Sequence, residues 1–195
     1  MIRIGIDQSI SFTGVTVLDD DKNLIKQYGV THKKHTKWDK ALIKNPELKN
    51  NIEIWDYQYK EKPGNASTFE IEQIKFHNIY ELSNVIGGII YKYTKDNDVT
   101  VYMEGISFGS RQTTAIAELS ALNYFIRERS YNLGCEVVVI PPSKVKKYFT
   151  GNGVADKELM METYFRLEPW ARELSSYLKM DDIADSYAMA CFDEG

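Results

Sequence analysis

A chain of 195 residues with 43% apolar and 27% charged side chains can bury one sizeable core, and wholesale disorder is excluded. No apolar run approaches the roughly 18 residues that cross a bilayer, and Asp7 interrupts the short apolar stretch where a signal peptide would need continuity. The formal net charge of −4 argues against indiscriminate nucleic-acid binding, yet Lys33, Lys34, Lys37, Lys40, Lys44 and Lys49 crowd one stretch against only Asp39 and Glu47. Cys135 and Cys191 form neither a disulfide framework nor a CxxC pair and read as two reduced, buried thiols.

In chain order, residues 1–7 and 13–19 read as two strands joined by the polar turn Gln8–Phe12, and 22–30 as a third. Residues 31–66 are the least regular stretch. They are Lys-rich, then pass through NIEIWDYQY, which could add a strand, to the loop signal KPGNAS. From Ser67 to Tyr93 apolar residues recur at helical spacing, with Ser67 or Thr68 as N-cap. VTVYMEG (99–105) is a β-branched strand, Thr113–Tyr131 an amphipathic helix, and CEVVVIPP (135–142) an apolar strand stopped by two prolines. Lys157–Leu167 and Asp182–Phe192 read as two further helices. Antiparallel strands followed by alternating strand–helix units predict an α/β fold. Its plan is that of an RNase H-like domain: a mixed five-stranded sheet with helices on both faces. The whole of 1–195 then forms one domain with an inserted Lys-rich elaboration at about 31–66.

Four acids stand out by position. Asp7 ends the first strand, Glu104 ends the strand before Gly105, and Asp182 and Asp185 lie three apart on one face of the last helix. Any one of them alone reads most simply as a turn or capping residue. Together they form a set of oxygen ligands beside apolar elements, where uncompensated charge is costly. Such a set suits Mg²⁺ or Mn²⁺, and two ions about 4 Å apart would serve in-line phosphodiester hydrolysis. Asp181 rivals Asp182, since it sits four before Asp185.

The stretches IGIDQSISFTGVTVLD (4–19), VYMEGISFG (101–109), PPSKVKKYFTGNGVADKELM (141–160) and DDIADSYAMA (181–190) resemble the RuvC-type Holliday junction resolvases of the RNase H-like and retroviral-integrase superfamily. The resemblance implies metal-binding acids at Asp7, Glu104, Asp182 and Asp185, and catalytic-site lysines at Lys146 and Lys157. It implies a Mg²⁺-dependent endonuclease, with Mn²⁺ as a substitute, acting on branched DNA as a two-fold homodimer. The helix 113–131 would be the interface, and the setting a bacterial or phage-infected cytoplasm. An aromatic after the central-strand acid would stack at the branch point, which falls on Phe108 with a one-residue shift, and Arg111 and Gln112 could contact the backbone. Lys144 and Lys147 could do the same, as could Lys33, Lys34 and Lys37 in a basic arm whose Trp38 and Trp55 are available for stacking. The Asp7-to-Glu104 spacing is longer than in bacterial members, and the excess falls in 31–66.

Two alternatives stay open: a non-catalytic junction-binding protein of the same fold, and an ATP-binding protein. GIDQSISFTG also resembles the first phosphate motif of actin-like and sugar kinases, although the chain is short for their second domain. GNGVADK lacks the spacing and hydroxyl residue of a P-loop. His32 and His35 form an HxxH without supporting ligands and are expected to face solvent.

Overall fold

The strand β1 (Ile2–Asp7) divides its residues between two different environments. Ile2, Ile4 and Ile6 enter an apolar core shared with α2 (Thr68–Thr94) and α3 (Thr113–Asn132). Arg3, Gly5 and Asp7 point to the other face, which α6 (Met180–Cys191) covers. This is the period-two alternation of a strand buried on both sides. The computed structural model describes residues 1–106 and 113–193, and of 113–115 the backbone only.

Around β1 the sheet runs β4-β3-β2-β1-β5-β6. The strands β2 (Thr13–Leu18) and β3 (Leu24–Thr31) form an antiparallel meander with β1. On the other side β5 (Val99–Glu104) lies parallel to β1, and β6 (Glu136–Ile140) parallel to β5. The sixth strand is β4 (Ile52–Asp56), which pairs in parallel with β3 at the edge. The sheet therefore has one strand more than expected, because the IEIWD run supplied a true strand. Helices cover both faces, as expected.

The α6 face is built on close approach. A Cβ on Gly5 would fall 2.0 Å from the Ser186 carbonyl oxygen, and one on Gly14 2.1 Å from that of Asp182. Only glycine lets the helix backbone lie this near the strands. Thr16 Oγ1 and Ser186 Oγ pair at 2.8 Å in this seam. At the far end of α6, buried Arg3 donates from Nε to the Ala190 carbonyl at 2.7 Å and from a terminal nitrogen to that of Phe192. Arg3 also pairs with Asp193 at 3.0 Å and lies over the Tyr102 ring. These carbonyls are the ones a helix C-terminus leaves unpaired, so Arg3 caps α6 from the sheet.

α2 starts with a capping box: Ser67 Oγ accepts from the Glu70 amide at 3.3 Å, and Glu70 accepts from the Ser67 amide at 2.8 Å. Two helices escaped the sequence reading. One is α1 (Thr36–Lys44), which lacks a side-chain cap. The other is α4 (Pro142–Thr150), where the prolines that stop β6 also start a helix, because proline suits the first helical position. α4 ends at Gly151 in the left-handed region, φ 80°. α5 (Lys157–Leu167) follows, capped by Asp156.

Residues 31–66 are not a free arm. Trp38, Ala41, Leu48 and Ile52 are buried in a core with Tyr164, Ile183 and Tyr187 of α5 and α6. Trp38 is thus unavailable for stacking on DNA, and Trp55 packs edge-on against Tyr28 with the Lys92 ammonium 4.1 Å above its ring. The histidines also depart from expectation. His32 stacks on Tyr59 with centroids 3.8 Å apart and meets Tyr57 Oη at 2.9 Å, while His35 is half-buried between Asp39 and Asp56. Both cysteines are buried free thiols. No helix among the described residues is long and apolar enough to cross a membrane.

Candidate active site

The parallel pairing of β1 and β5 places Ile6 beside Met103, so the next residues, Asp7 and Glu104, end neighbouring strands at the same edge. Carboxyl ends of parallel strands are where α/β sheets place their ligand sites. The first turn of α6 crosses this edge, because α6 begins at Met180 and not at Asp182. Its N-cap, Lys179, makes no side-chain cap. Asp181 and Asp182 therefore sit in the helix's first turn and Asp185 one turn on, where a helix N-terminus favours negative charge.

The acids feel one another strongly. Burial, then Asp185, Asp182, Glu104 and Asp181 in that order, hold the Asp7 carboxyl well above the usual range. Burial and then Glu104 and Asp181 raise Asp185 to about 6, against opposition from Lys146 and Lys157. Burial and Asp181 raise Asp182 to about 6, opposed by Lys179 and Lys157. Burial also raises Glu104, with Lys146 pulling the other way. Neighbouring carboxylates with shared, raised titration mark functional sites more often than structural ones.

Asp181 behaves differently. Burial opposes its charge, but an ion pair with Lys157 outweighs this and holds its carboxyl below the usual range. Lys157 is largely exposed, so it reaches the acids from the rim. Asp182 Oδ2 is buried without a hydrogen-bond partner, with Lys179 Nζ 3.7 Å away. Of the two rivals, Asp182 keeps a buried oxygen that accepts no hydrogen bond and faces only the longer ion pair with Lys179.

Lys146 is half-buried, donates to the Ala155 carbonyl at 2.8 Å, and lines a hollow of about 260 Å³ with Glu104 and Asp185. Lys144 and Lys147 are exposed on the outer side of α4. Asp7 and Glu104 share a second hollow of about 260 Å³ with Gln8, Ile116 and Leu119. Glu104 thus borders both. Phe108, Arg111 and Gln112 lie outside the described residues.

Three contributors were missed in the sequence. Lys179 reaches Asp182 because α6 starts earlier than supposed. Gln8 presents a buried Oε1 without a partner beside Asp7, and Asn123 donates to the Glu104 carbonyl at 3.2 Å, bracing the strand end from α3. Only the position of Gln8 next to Asp7 could have pointed to it.

The donor set is all oxygen, which fits a hard divalent cation, and the buried Asp182 oxygen that accepts no hydrogen bond is a candidate ligand. Among the described residues, however, no group of three or more His, Cys, Asp and Glu side chains is gathered tightly enough to hold an ion. The two findings are compatible. Charges act over several ångströms, whereas ligation needs oxygens about 2.0–2.6 Å from one centre. Drawing the acids that close costs repulsion that a cation would offset.

The mixed sheet, the crossing of α6 and the acids at the β1/β5 edge define an RNase H-like fold of the RuvC type. Among the solved structures it resembles are Thermus thermophilus RuvC (TM-score 0.58, 17% identity, 97% of this chain and 91% of that one) and T. thermophilus RuvC in complex with a Holliday junction substrate (TM-score 0.59, 14% identity, 97% and 90%). No protein-family model matches the chain. No curated protein does either.

Proposed function

We propose that the protein is a divalent-metal-dependent, structure-selective endonuclease that cuts branched DNA, four-way junctions foremost. The observation that carries this reading is the convergence of Asp7, Glu104, Asp182 and Asp185 at the β1/β5 edge of a RuvC-type fold. The Holliday junction substrate of one similar structure supports the choice of DNA.

Asp7, Glu104, Asp182 and Asp185 would hold Mg²⁺, or Mn²⁺, as two ions. The metal supplies Lewis acidity for attack of water on a phosphodiester and charge stabilisation at the leaving oxygen. The chain's own groups do the rest. Lys146, fixed by its bond to the Ala155 carbonyl, sets a positive charge beside Glu104 and Asp185, where a scissile phosphate would sit. Lys157 neutralises Asp181, which leaves the inner acids to the ions. Asn123 steadies the end of β5 through its bond to the Glu104 carbonyl.

The reading includes one nuclease domain with residues 31–66 as an elaboration of its sheet edge, and a two-fold homodimer, since a four-way junction calls for two symmetric cuts. The α2/α3 face supports the dimer: Phe76, Tyr80, Tyr124 and Tyr131 are exposed there.

The test is a labelled four-way junction, a fork and a linear duplex, each with and without Mg²⁺. Junction nicking should require the metal, and Asp7→Asn should lower it at least a thousandfold while junction binding survives. Unaltered cutting by Asp7→Asn would sink the mechanism, and equal cutting of linear duplex would sink the structure selectivity.

A further inference from the structure

A third hollow, of about 290 Å³, lies between the start of the 31–66 elaboration and the segment leading into α6. Lys33, Lys34 and Lys37 line it from one side, Tyr177 and Lys179 from the other, and Ser11 of the β1–β2 turn closes one end. Lys44 extends the positive rim by reaching Tyr177 Oη at 3.4 Å. In a chain of net charge −4 this concentration of lysines is a local exception. The acids nearby, Asp39 and Asp56, are both turned to His35. The helix α1 begins within the groove and has no side-chain cap, so its first amides add to the positive field.

The groove is joined to the acid cluster through one residue. Lys179 lines the groove and also stands 3.7 Å from Asp182. We infer that this groove binds the sugar–phosphate backbone of the DNA substrate next to the strand being cut, with Lys33, Lys34, Lys37 and Lys179 contacting successive phosphates. The inference rests on the nuclease reading for its substrate, and replaces the basic arm expected from the sequence with a groove built on a fixed base and joined to the acid cluster through Lys179. The elaboration is suited to it. Trp38, Ala41 and Leu48 anchor it in the core, so the lysines project from a fixed base and little ordering entropy is lost on binding. Lys33, Lys34 and Lys37 are exposed and make no ion pair among the described residues, so at these three no salt bridge has to break first, while Lys179 shares its charge with Asp182.

The experiment is equilibrium binding of a fluorescent four-way junction in EDTA over a range of salt concentrations. Three proteins are compared: wild type, Lys33→Gln/Lys34→Gln/Lys37→Gln, and a control with the same charge change at exposed lysines that do not line the groove, Lys60→Gln/Lys62→Gln/Lys95→Gln. Each lost phosphate contact lowers the slope of log K against log salt by about 0.9. The groove variant should therefore lose roughly two to three units of slope and bind at least tenfold more weakly at 0.1 M salt, while the control stays within about threefold of wild type. Thermal unfolding confirms that each variant is folded, as expected for exposed Lys→Gln changes. Wild-type affinity and slope in the groove variant overturn the inference, as does equal weakening by the control. A wild type that shows the groove dependence but never cuts removes the nuclease reading and leaves the groove in place.

Discussion

The two faces of β1 follow opposite rules. On the α2/α3 side, Ile4 and Ile6 fill space: bulk is wanted, and the packing is of side chain on side chain. On the α6 side, Gly5 and Gly14 withhold bulk, and a helix backbone lies almost on the strands. The difference shows what each face is for. The first buries apolar area, which stabilises the fold at roughly 25 cal/mol per Å². The second brings Asp182 and Asp185 down to the level of Asp7, an arrangement that costs stability through buried, mutually repelling carboxylates.

The largest expected effect breaks the close face. Gly5→Ala puts a methyl 2.0 Å from the Ser186 carbonyl and 2.5 Å from the Ala190 amide, backbone atoms that cannot swing aside. We expect a loss of roughly 3 kcal/mol or more, read by denaturant unfolding, together with loss of Mg²⁺-dependent nicking. A variant with wild-type stability would refute the close-approach argument.

A smaller effect of opposite sign tests the cost of the acids. Asp185 titrates at about 6 in the folded protein against an ordinary 3.8. A raised carboxyl destabilises the fold when charged, so the penalty is complete above about pH 6 and absent below about pH 4. In metal-free protein Asp185→Asn should therefore gain roughly 1–3 kcal/mol at pH 7.5 and nothing at pH 3.5. A gain independent of pH would point to packing and not charge.

The smallest effect belongs to the bulky face. Ile4→Val removes one buried methylene and should cost about 1 kcal/mol. Nicking under conditions where the variant is folded should stay near wild type. If Ile4→Val harmed nicking more than stability, the separation of the two faces would be lost.

These faces were unequally legible in the sequence. The alternation of β1, the β-branched run ending in Glu104 and the DxxD spacing all obey local rules, so three of the site's elements could be placed from residues alone. The closeness of α6 could not, because Gly5 and Gly14 read as ordinary strand glycines until a partner backbone is set against them. α4 was hidden by Pro141 and Pro142, which mark a strand's end and a helix's start equally well. α1 was hidden by the absence of any capping side chain. Lys179 was missed for a related reason, since the Asp181–Asp182 pair imitates a cap and pushes the helix start two residues too late. The lysines of 33–37 were visible as charge, but their meeting with 177–179 is tertiary and no local pattern encodes it.

Arg3 gives α6 a mechanical character. Its guanidinium grips the carbonyls at the C-terminal end of the helix, from the opposite end of the same strand that carries Asp7. α6 is thus a beam clamped at one end, and Asp181 and Asp182 ride on the other. At that other end the Asp182 carbonyl lies against Gly14, so the helix is held along its length and its acids keep a set height over the sheet. Arg3 at one end and the glycine seam at the other together set where the acids point.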